Sequence, residues 1–146
     1  MPIPARPSVI PYLIVEEADH VIDFCQQVFE AELLGKLMRP DGNLMHAELA
    51  IGDSRVMLGT PMGEFEPTPG MVFVTVDDCD AAYHRTIEAG ATVLMEMTTM
   101  EHAGERYGGV LDKAGNSWWI ATQQEEVSWE QQQQRIDSLA DQEFGQ

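Results

Sequence analysis

The chain carries one plan of secondary-structure elements twice, and this duplication restricts the folds open to it. Residues 15–19 (VEEAD) match residues 76–80 (VDDCD), and residues 52–56 (GDSRV) match residues 115–119 (GNSWW). The two offsets are 61 and 63 residues, so the repeated unit is a complete supersecondary unit rather than a short motif. We therefore expect two similar modules in tandem.

The first half reads as a strand, a helix and three strands. Residues 9–15 are rich in β-branched residues with a proline near their start, which is typical of a strand opening. Apolar residues then recur at spacings of three and four, which predicts one buried stripe on a helix that ends near Glu30. The stripe consists of Ala18, Val21, Ile22, Cys25, Val28 and Phe29. Turn residues separate three further predicted strands, over residues 33–38, 44–51 and 55–59.

The second half repeats this order. Residues 71–76 read as its first strand, and Asp78 is the expected N-cap of its helix. The three strands that follow are predicted over residues 92–97, 106–111 and 118–122. The sequence therefore predicts an α+β fold of two βαβββ modules, over about residues 9–60 and 70–124, within one domain of residues 1–124.

Residues 125–146 form a separate, Gln-rich and acidic segment. Ser128 followed three residues later by Gln131 predicts a capping box at the start of a helix. The apolar stripe of this helix is narrow and consists of Trp129, Ile136, Leu139 and Ala140. The segment either packs on a partner chain or its own domain, or remains a solvated appendage.

Charge and composition exclude several classes of partner. A formal net charge of −17 at pH 7, with only 8 Lys and Arg, would repel nucleic acid and anionic membranes. The sequence has no run of about 18 apolar residues to cross a bilayer, and its N-terminus lacks the apolar core of an export signal. Two cysteines without a disulfide spacing fit a reducing compartment. We therefore expect a cytoplasmic protein.

Several motifs resemble the vicinal oxygen chelate superfamily, which includes glyoxalases and bleomycin-resistance proteins. Residues 15–17 (VEE) open the first helix and residues 112–116 (DKAGN) precede the last strand, as in that superfamily. Four other motifs resemble its PhnB-like, glyoxalase-related branch: residues 11–13 (PYL), 45–49 (MHAEL), 51–54 (IGDS) and 104–108 (GERYG). The resemblance covers about residues 9–124.

The resemblance implies curved mixed sheets around a cleft, a homodimer, and in the metal enzymes a divalent ion with four ligands. By motif, the ligand positions fall near Ile10, Val56, Met71 and Trp119. None of these side chains offers the carboxylate oxygen or imidazole nitrogen that such an ion requires. We therefore expect no metal and no other cofactor at those positions.

His46 and Glu48 are the candidates for acid–base chemistry. They lie two residues apart on a predicted strand, so both side chains project to the same face. The pair is suited to act as a general base or to anchor a ligand. Alternatively, both face solvent or a dimer partner. His102 lies in a polar loop and is a possible lid residue or displaced metal ligand, or simply part of a mobile surface loop.

Four other residues are expected to bind a ligand. Tyr12 lies in the first strand, and Arg106 and Tyr107 open a strand at the expected mouth of the cleft. A guanidinium and a phenol there suit an anionic or aromatic ligand, although an ion pair is an equal alternative for Arg106. Trp118 and Trp119 are adjacent on a strand, so they point to opposite faces, and Trp119 is the candidate for the cleft.

These observations favour a dimeric small-molecule binding protein of the bleomycin-resistance type, without the superfamily's metal site. The alternative is a glyoxalase-like lyase or isomerase. It would use either a displaced metal site or acid–base chemistry by His46 and Glu48. A third hypothesis is a protein whose C-terminal helix docks on another protein.

Overall fold

The computed structural model describes residues 5–143, so residues 1–4 and 144–146 of the predicted ranges lie outside it. The first module consists of strand β1 (Tyr12–Ile14), helix α1 (Ala18–Phe29) and strands β2 (Glu32–Met38), β3 (Leu44–Ile51) and β4 (Ser54–Gly59). The second consists of β5 (Met71–Thr75), α2 (Cys79–Glu88), β6 (Thr92–Met100), β7 (Glu105–Leu111) and β8 (Ser117–Gln123). Helix α3 (Trp129–Glu143) follows.

Each module forms a four-stranded mixed sheet. The strand orders are β1-β4-β3-β2 and β5-β8-β7-β6, which are the same arrangement. The first strand of each module runs parallel to the last, and the other pairs are antiparallel. The predicted α+β fold with duplicated βαβββ modules is therefore confirmed.

Strand β1 is shorter than the sequence predicts. It begins at Tyr12 rather than near residue 9, because proline has no N–H to give to the ladder. The carbonyl of Pro11 still accepts a hydrogen bond from the N–H of Met57, at 2.9 Å. The segment before β1 therefore continues beside β4 without being part of the sheet.

The two module helices begin differently. The Asp78 side chain accepts the N–H of Ala81 at 3.1 Å and caps α2, as its sequence predicts. Helix α1 has no side-chain cap at its start and ends at Phe29, and Glu30 after it adopts the left-handed conformation with φ of 56°. The stability of α1 therefore depends on its buried face rather than on its caps.

One hydrophobic core joins the modules. Helix α1 packs against β2 and β3 and also against α2, whereas α2 packs against β6, β7 and β8. Phe24 and Phe29 of α1 contact the indole of the fully buried Trp118, at ring-centroid distances of 5.5 and 5.6 Å. Each sheet therefore has a face directed to this core and an opposite face, which we call its open face.

Helix α3 begins with the predicted capping box. The Ser128 N–H donates to Gln131 Oε1 at 3.2 Å, and the Gln131 N–H donates to Ser128 Oγ at 3.1 Å. Arg135 ties the helix to the loop before β7 by donating to the Glu101 carbonyl at 2.6 Å. Trp129 is 86% exposed, and the side chain of Ala140 lies outside the described part. Among the described residues, no helix is long and apolar enough to cross a membrane.

Candidate functional site

Three of the predicted site residues lie together on the open face of the first sheet. Tyr12 and Glu48 are both in register with Met57, from the strands on either side of β4. His46 lies two residues before Glu48 on β3, so it shares this face. Leu49, which alternates with them, is buried in the core. The alternation read from the sequence therefore places these side chains as expected.

Tyr12 and His46 form a hydrogen-bonded pair. The Tyr12 hydroxyl lies 3.0 Å from His46 Nδ1, and the two rings are 5.6 Å apart between centroids. Gly59 makes room for this contact, because a Cβ at that position would lie 3.2 Å from the Tyr12 hydroxyl and 3.0 Å from the Met45 carbonyl. A side chain at Gly59 would therefore crowd the Tyr12–His46 pair. The sequence alone does not identify this glycine as important.

Glu48 is paired with arginines rather than with His46. Its Oε2 accepts a hydrogen bond from Arg55 Nη1 at 2.7 Å, and its Oε1 lies 3.6 Å from Arg6 Nη2. The Arg6 guanidinium also lies 3.6 Å from the sulfur of Met57. The oxygens of Glu48 are therefore occupied by guanidinium groups, and the two candidates His46 and Glu48 make separate polar contacts, with Tyr12 and with the arginines.

Tyr107 and Trp119 lie on the open face of the second sheet, where they meet Phe73. The Tyr107 ring is 6.0 Å from Phe73 and 6.2 Å from Trp119 between centroids, and both contacts are edge-on. Edge-to-face contact is the favoured geometry for aromatic rings. We call Phe73, Tyr107 and Trp119 the aromatic cluster. Phe73 is 52% exposed, and Met71 on the same strand is 71% exposed. The cluster therefore presents an apolar surface to its surroundings.

The Trp119 indole lies across the neighbouring strand. A Cβ on Gly109 would come within 2.7 Å of its ring carbons, so only glycine allows the ring to lie flat there. The indole N–H is buried and has no acceptor among the described residues. The sequence pairs Tyr107 with Trp119 but does not identify Phe73, although its alternation with Val72 and Val74 on β5 is the signal that places it on this face.

Arg106 does not share a face with Tyr107. It lies on the helix side of β7, where its guanidinium donates to both carboxylate oxygens of Asp80, with contacts of 2.9 Å to each. It also donates to the Thr99 hydroxyl at 3.1 Å. The hydrogen bonding from the Arg106 guanidinium lowers the pKa of Asp80. Of the two roles that the sequence left open for Arg106, the structure contains the ion pair.

His102 is separated from His46. It belongs to the loop before β7 and lines a cavity of about 600 Å³ between that loop and α3, together with Arg135 and Leu139. His46 lies in the other module, on the open face of the first sheet. Among the side chains of residues 5–139, no three His, Cys, Asp or Glu are grouped to hold a metal ion. The described part of the chain therefore does not bring His46, Glu48 and His102, the candidates for a displaced metal site, together in one group.

The four metal-ligand positions implied by the family resemblance do not fit a divalent cation. Val56 is buried in the core, and Ile10 and Trp119 are partly buried, whereas Met71 is exposed. Their side chains supply no carboxylate or imidazole, which are the donors that such a cation requires. No step of a mechanism can therefore be assigned to a metal at these positions.

A groove of about 980 Å³ lies between the modules. Phe29, Val72 and Val74 contribute apolar surface to it, and Arg55 and Arg85 contribute charge. None of the six residues expected to bind a ligand lines this groove. Phe73 of the aromatic cluster and Arg55, which pairs with Glu48, also line it, so the groove shares one residue with each open face.

Comparison with known proteins identifies relatives of the whole domain. Residues 8–120 match the family model of the glyoxalase/bleomycin resistance protein/dioxygenase superfamily. An uncharacterized protein of Mycobacterium bovis is 34% identical over 154 aligned positions, which cover 97% of this chain and 99% of the relative. A Mycobacterium tuberculosis protein is also 34% identical, with 97% and 89% covered.

Solved structures match at lower identity and therefore inform on the fold alone. TioX from Micromonospora sp. ML1 aligns with a TM-score of 0.63 and 23% identity, over 84% of this chain and 100% of TioX. Protein PA1353 from Pseudomonas aeruginosa aligns with a TM-score of 0.67 and 22% identity, over 82% and 99%. A PhnB protein from Bacillus cereus aligns with a TM-score of 0.64 and 17% identity, over 80% and 99%.

Proposed function

Because this chain belongs to the glyoxalase/bleomycin resistance protein/dioxygenase superfamily, whose members bind small molecules or act as enzymes, we propose that it is a small-molecule binding protein of the bleomycin-resistance type. Its ligand is planar or amphipathic, and binding needs no metal at the superfamily's ligand positions. The apolar side chains at those four positions support this reading. We place the protein in the cytoplasm, where its two buried free thiols remain reduced.

The aromatic cluster is the observation that carries this proposal. Phe73, Tyr107 and Trp119 form adjoining rings on one sheet face, where Phe73 and the neighbouring Met71 are exposed, and an exposed apolar surface of this kind marks an interaction site. Rigid aromatic side chains contribute contact area at a low entropic cost. A flat ligand placed on the cluster gains ring contacts with Phe73, which is exposed, whereas Tyr107 and Trp119 are partly buried.

We further propose that the protein is a homodimer in which a second copy helps to cover the open faces. Met71 and Phe73 are exposed on the second sheet, and Leu37 and Met45 are exposed on the first. A monomer would leave these apolar side chains in water. Light scattering coupled to size exclusion should give twice the chain mass of 16.3 kDa. A mass of one chain at micromolar concentration would refute the dimer.

The binding proposal is tested by titrating the protein with a panel of planar aromatic compounds. Binding is detected by tryptophan fluorescence and by calorimetry. We expect at least one compound to bind with one site per chain. Phe73→Ala should weaken that compound roughly tenfold, since it removes an aromatic contact of about 1–2 kcal/mol. Trp129→Ala, which removes an exposed aromatic side chain from α3, is the matched control and should leave the affinity unchanged. Equal losses in the two variants would contradict a site at the cluster.

A second candidate function is metal-free acid–base catalysis by a glyoxalase-like lyase or isomerase. The observation in its favour is the Tyr12–His46 hydrogen bond at 3.0 Å, because it orients an imidazole on an open sheet face. Glu48 would then support the site through its arginines rather than transfer a proton. Turnover of a 2-oxoaldehyde thiol adduct that is lost in His46→Ala would establish this alternative. One tightly bound metal ion per chain in untagged protein would instead support a metal-dependent lyase or isomerase.

A further inference from the structure

The open face of the first sheet carries two arginines around one carboxylate in a strongly acidic protein. The whole chain has a formal net charge of −17 and only 8 Lys and Arg. On this face, Arg6 and Arg55 share the single carboxylate of Glu48. Two guanidinium charges against one carboxylate leave one positive charge uncompensated by these contacts. Glu32 lies on the same face, with Ala50 between it and Arg55, so the extra guanidinium is a local hydrogen-bond donor for an anion rather than part of a net positive surface.

The two arginines are held with very different strength. Arg55 donates to Glu48 at 2.7 Å, which is a close charge-assisted hydrogen bond. Arg6 has only long contacts among the described residues, both of 3.6 Å, and its side chain is 54% exposed. Its guanidinium therefore retains donors for a further acceptor. Glu48 fixes Arg55 in place and also keeps Arg6 over the sheet.

The Tyr12–His46 pair adds a hydrogen-bond donor to the same face. A neutral imidazole has one donor and one acceptor nitrogen, and a phenol hydroxyl donates readily to the acceptor nitrogen. When the Tyr12 hydroxyl donates to Nδ1, His46 carries its proton on Nε2. With that direction of the hydrogen bond, Tyr12 is a positioning residue, because it fixes which nitrogen of His46 offers a hydrogen. Met57, in register with Tyr12 and Glu48, lies between the two polar contacts.

We propose that Arg6, Arg55 and His46 form a subsite for a small organic anion, such as a carboxylate, on the open face of the first sheet. This inference rests on the proposed binding function and specifies the chemistry of its ligand. The three residues offer hydrogen-bond donors, and a carboxylate accepts two parallel hydrogen bonds from one guanidinium. The neutral amide of the same shape replaces one acceptor by an NH2 group and loses the charge attraction.

Acetate and acetamide are the probes, because they are nearly isosteric and differ in charge. Protein labelled with ¹⁵N is titrated at constant ionic strength, and the Arg Nε–H and His46 imidazole signals are followed by NMR. Acetate should shift the Arg55 and His46 signals saturably, and acetamide should bind at least tenfold more weakly. Arg6→Gln and Arg55→Gln should each weaken acetate roughly tenfold, as expected for loss of a charged hydrogen bond.

Lys36→Gln is the matched control. It makes the same change in net charge in the same module, but Lys36 pairs with Asp19 of α1 on the other side of the sheet, at 2.9 Å. It should change the acetate affinity less than twofold. Equal binding of acetate and acetamide, a Lys36→Gln effect as large as that of Arg6→Gln, or no saturable shift of the Arg55 and His46 signals would each overturn the proposal.

Failure of this subsite can be distinguished from failure of the proposed function. Acetate has no ring, so its binding does not depend on Phe73 or the rest of the aromatic cluster. Acetate binding with no response to any planar compound would refute the proposal of a planar aromatic ligand and leave the anion subsite supported. Planar compounds that bind at the cluster, with no preference for acetate over acetamide, would retain the binding function and overturn the subsite.

Discussion

Replacing Asp112 by asparagine should strongly destabilise the second module. Asp112 is only 7% exposed and lies at the end of β7. Its Oδ1 accepts the N–H groups of Ala114 and Asn116 at 2.8 and 2.9 Å. Its Oδ2 accepts the Asn116 side-chain amide at 3.0 Å and the Trp118 indole N–H at 2.8 Å. Asparagine places an NH2 group where one of these oxygens lies, and that group cannot accept from two donors.

The magnitude follows from the number of buried donors that lose their acceptor. Each such donor costs about 1–3 kcal/mol, so two of them cost about 3 kcal/mol in Asp112→Asn. Alanine removes both oxygens and also leaves a small cavity, so Asp112→Ala should cost about 5 kcal/mol. For a chain of this length, about 3 kcal/mol corresponds to a fall in Tm of roughly 10 °C. The Trp118 indole, which is fully buried, would lose the contact that fixes its orientation.

Urea denaturation followed by tryptophan fluorescence and near-UV circular dichroism measures this effect. Asp53→Asn is the control, because Asp53 is an exposed carboxylate in the β3–β4 turn and bonds only the neighbouring Ser54 hydroxyl among the described residues. A surface substitution of this kind should change the free energy of unfolding by less than about 0.5 kcal/mol. A loss below about 1 kcal/mol for Asp112→Asn, with an unchanged m value, would show that these hydrogen bonds do not stabilise the turn as argued.

Three other perturbations are expected to have specific outcomes. Gly109→Ala should lower the free energy of unfolding by about 2 kcal/mol and alter the near-UV spectrum, because its Cβ would lie 2.7 Å from the Trp119 ring. Gly35→Ala is the control and should not alter that spectrum, since no atom lies within 4 Å of its Cβ. Burial raises the pKa of the Cys25 thiol, so this residue should react with a thiol reagent at pH 8 only after unfolding; modification of native protein at this site would contradict its burial. The pKa of Asp80 is lowered by its hydrogen-bonded guanidinium, so its contribution to stability is present above the unfolded value of 3.8 and is lost as the pH falls through the lower folded value. Asp80→Asn should therefore flatten the dependence of Tm on pH in that acidic range, and an unchanged slope would refute this assignment.

The fold is largely predictable from local spacing. The period of the apolar residues predicts α1 and α2, and the turn residues predict the meanders, because these signals depend on neighbours close in sequence. The same alternation predicts that Trp118 and Trp119 point to opposite faces, as they do. Strand ends are less predictable, since the start of β1 depends on which backbone groups of Pro11 can pair.

The composition of the site is less predictable, because it depends on register and on contacts between distant segments. The pairing of Arg55 with Glu48 requires the β3–β4 register, and Arg6 reaches the sheet from the segment before β1. Phe73 belongs to the aromatic cluster only because its strand pairs with the strand that carries Trp119. Arg106 shows the converse case, since its neighbour Tyr107 faces the other way along the strand.

The contact of Phe24 and Phe29 with Trp118 makes the stability of each module depend on the other module. A large aromatic side chain buries about 150–250 Å², which at about 25 cal/mol per Å² is about 4–6 kcal/mol for the Trp118 indole alone. Residues 62–69, which join the modules, are exposed. A polypeptide divided within this connection would therefore yield two fragments that each bury the aromatic surface of the other, so fragment complementation should restore the native assembly.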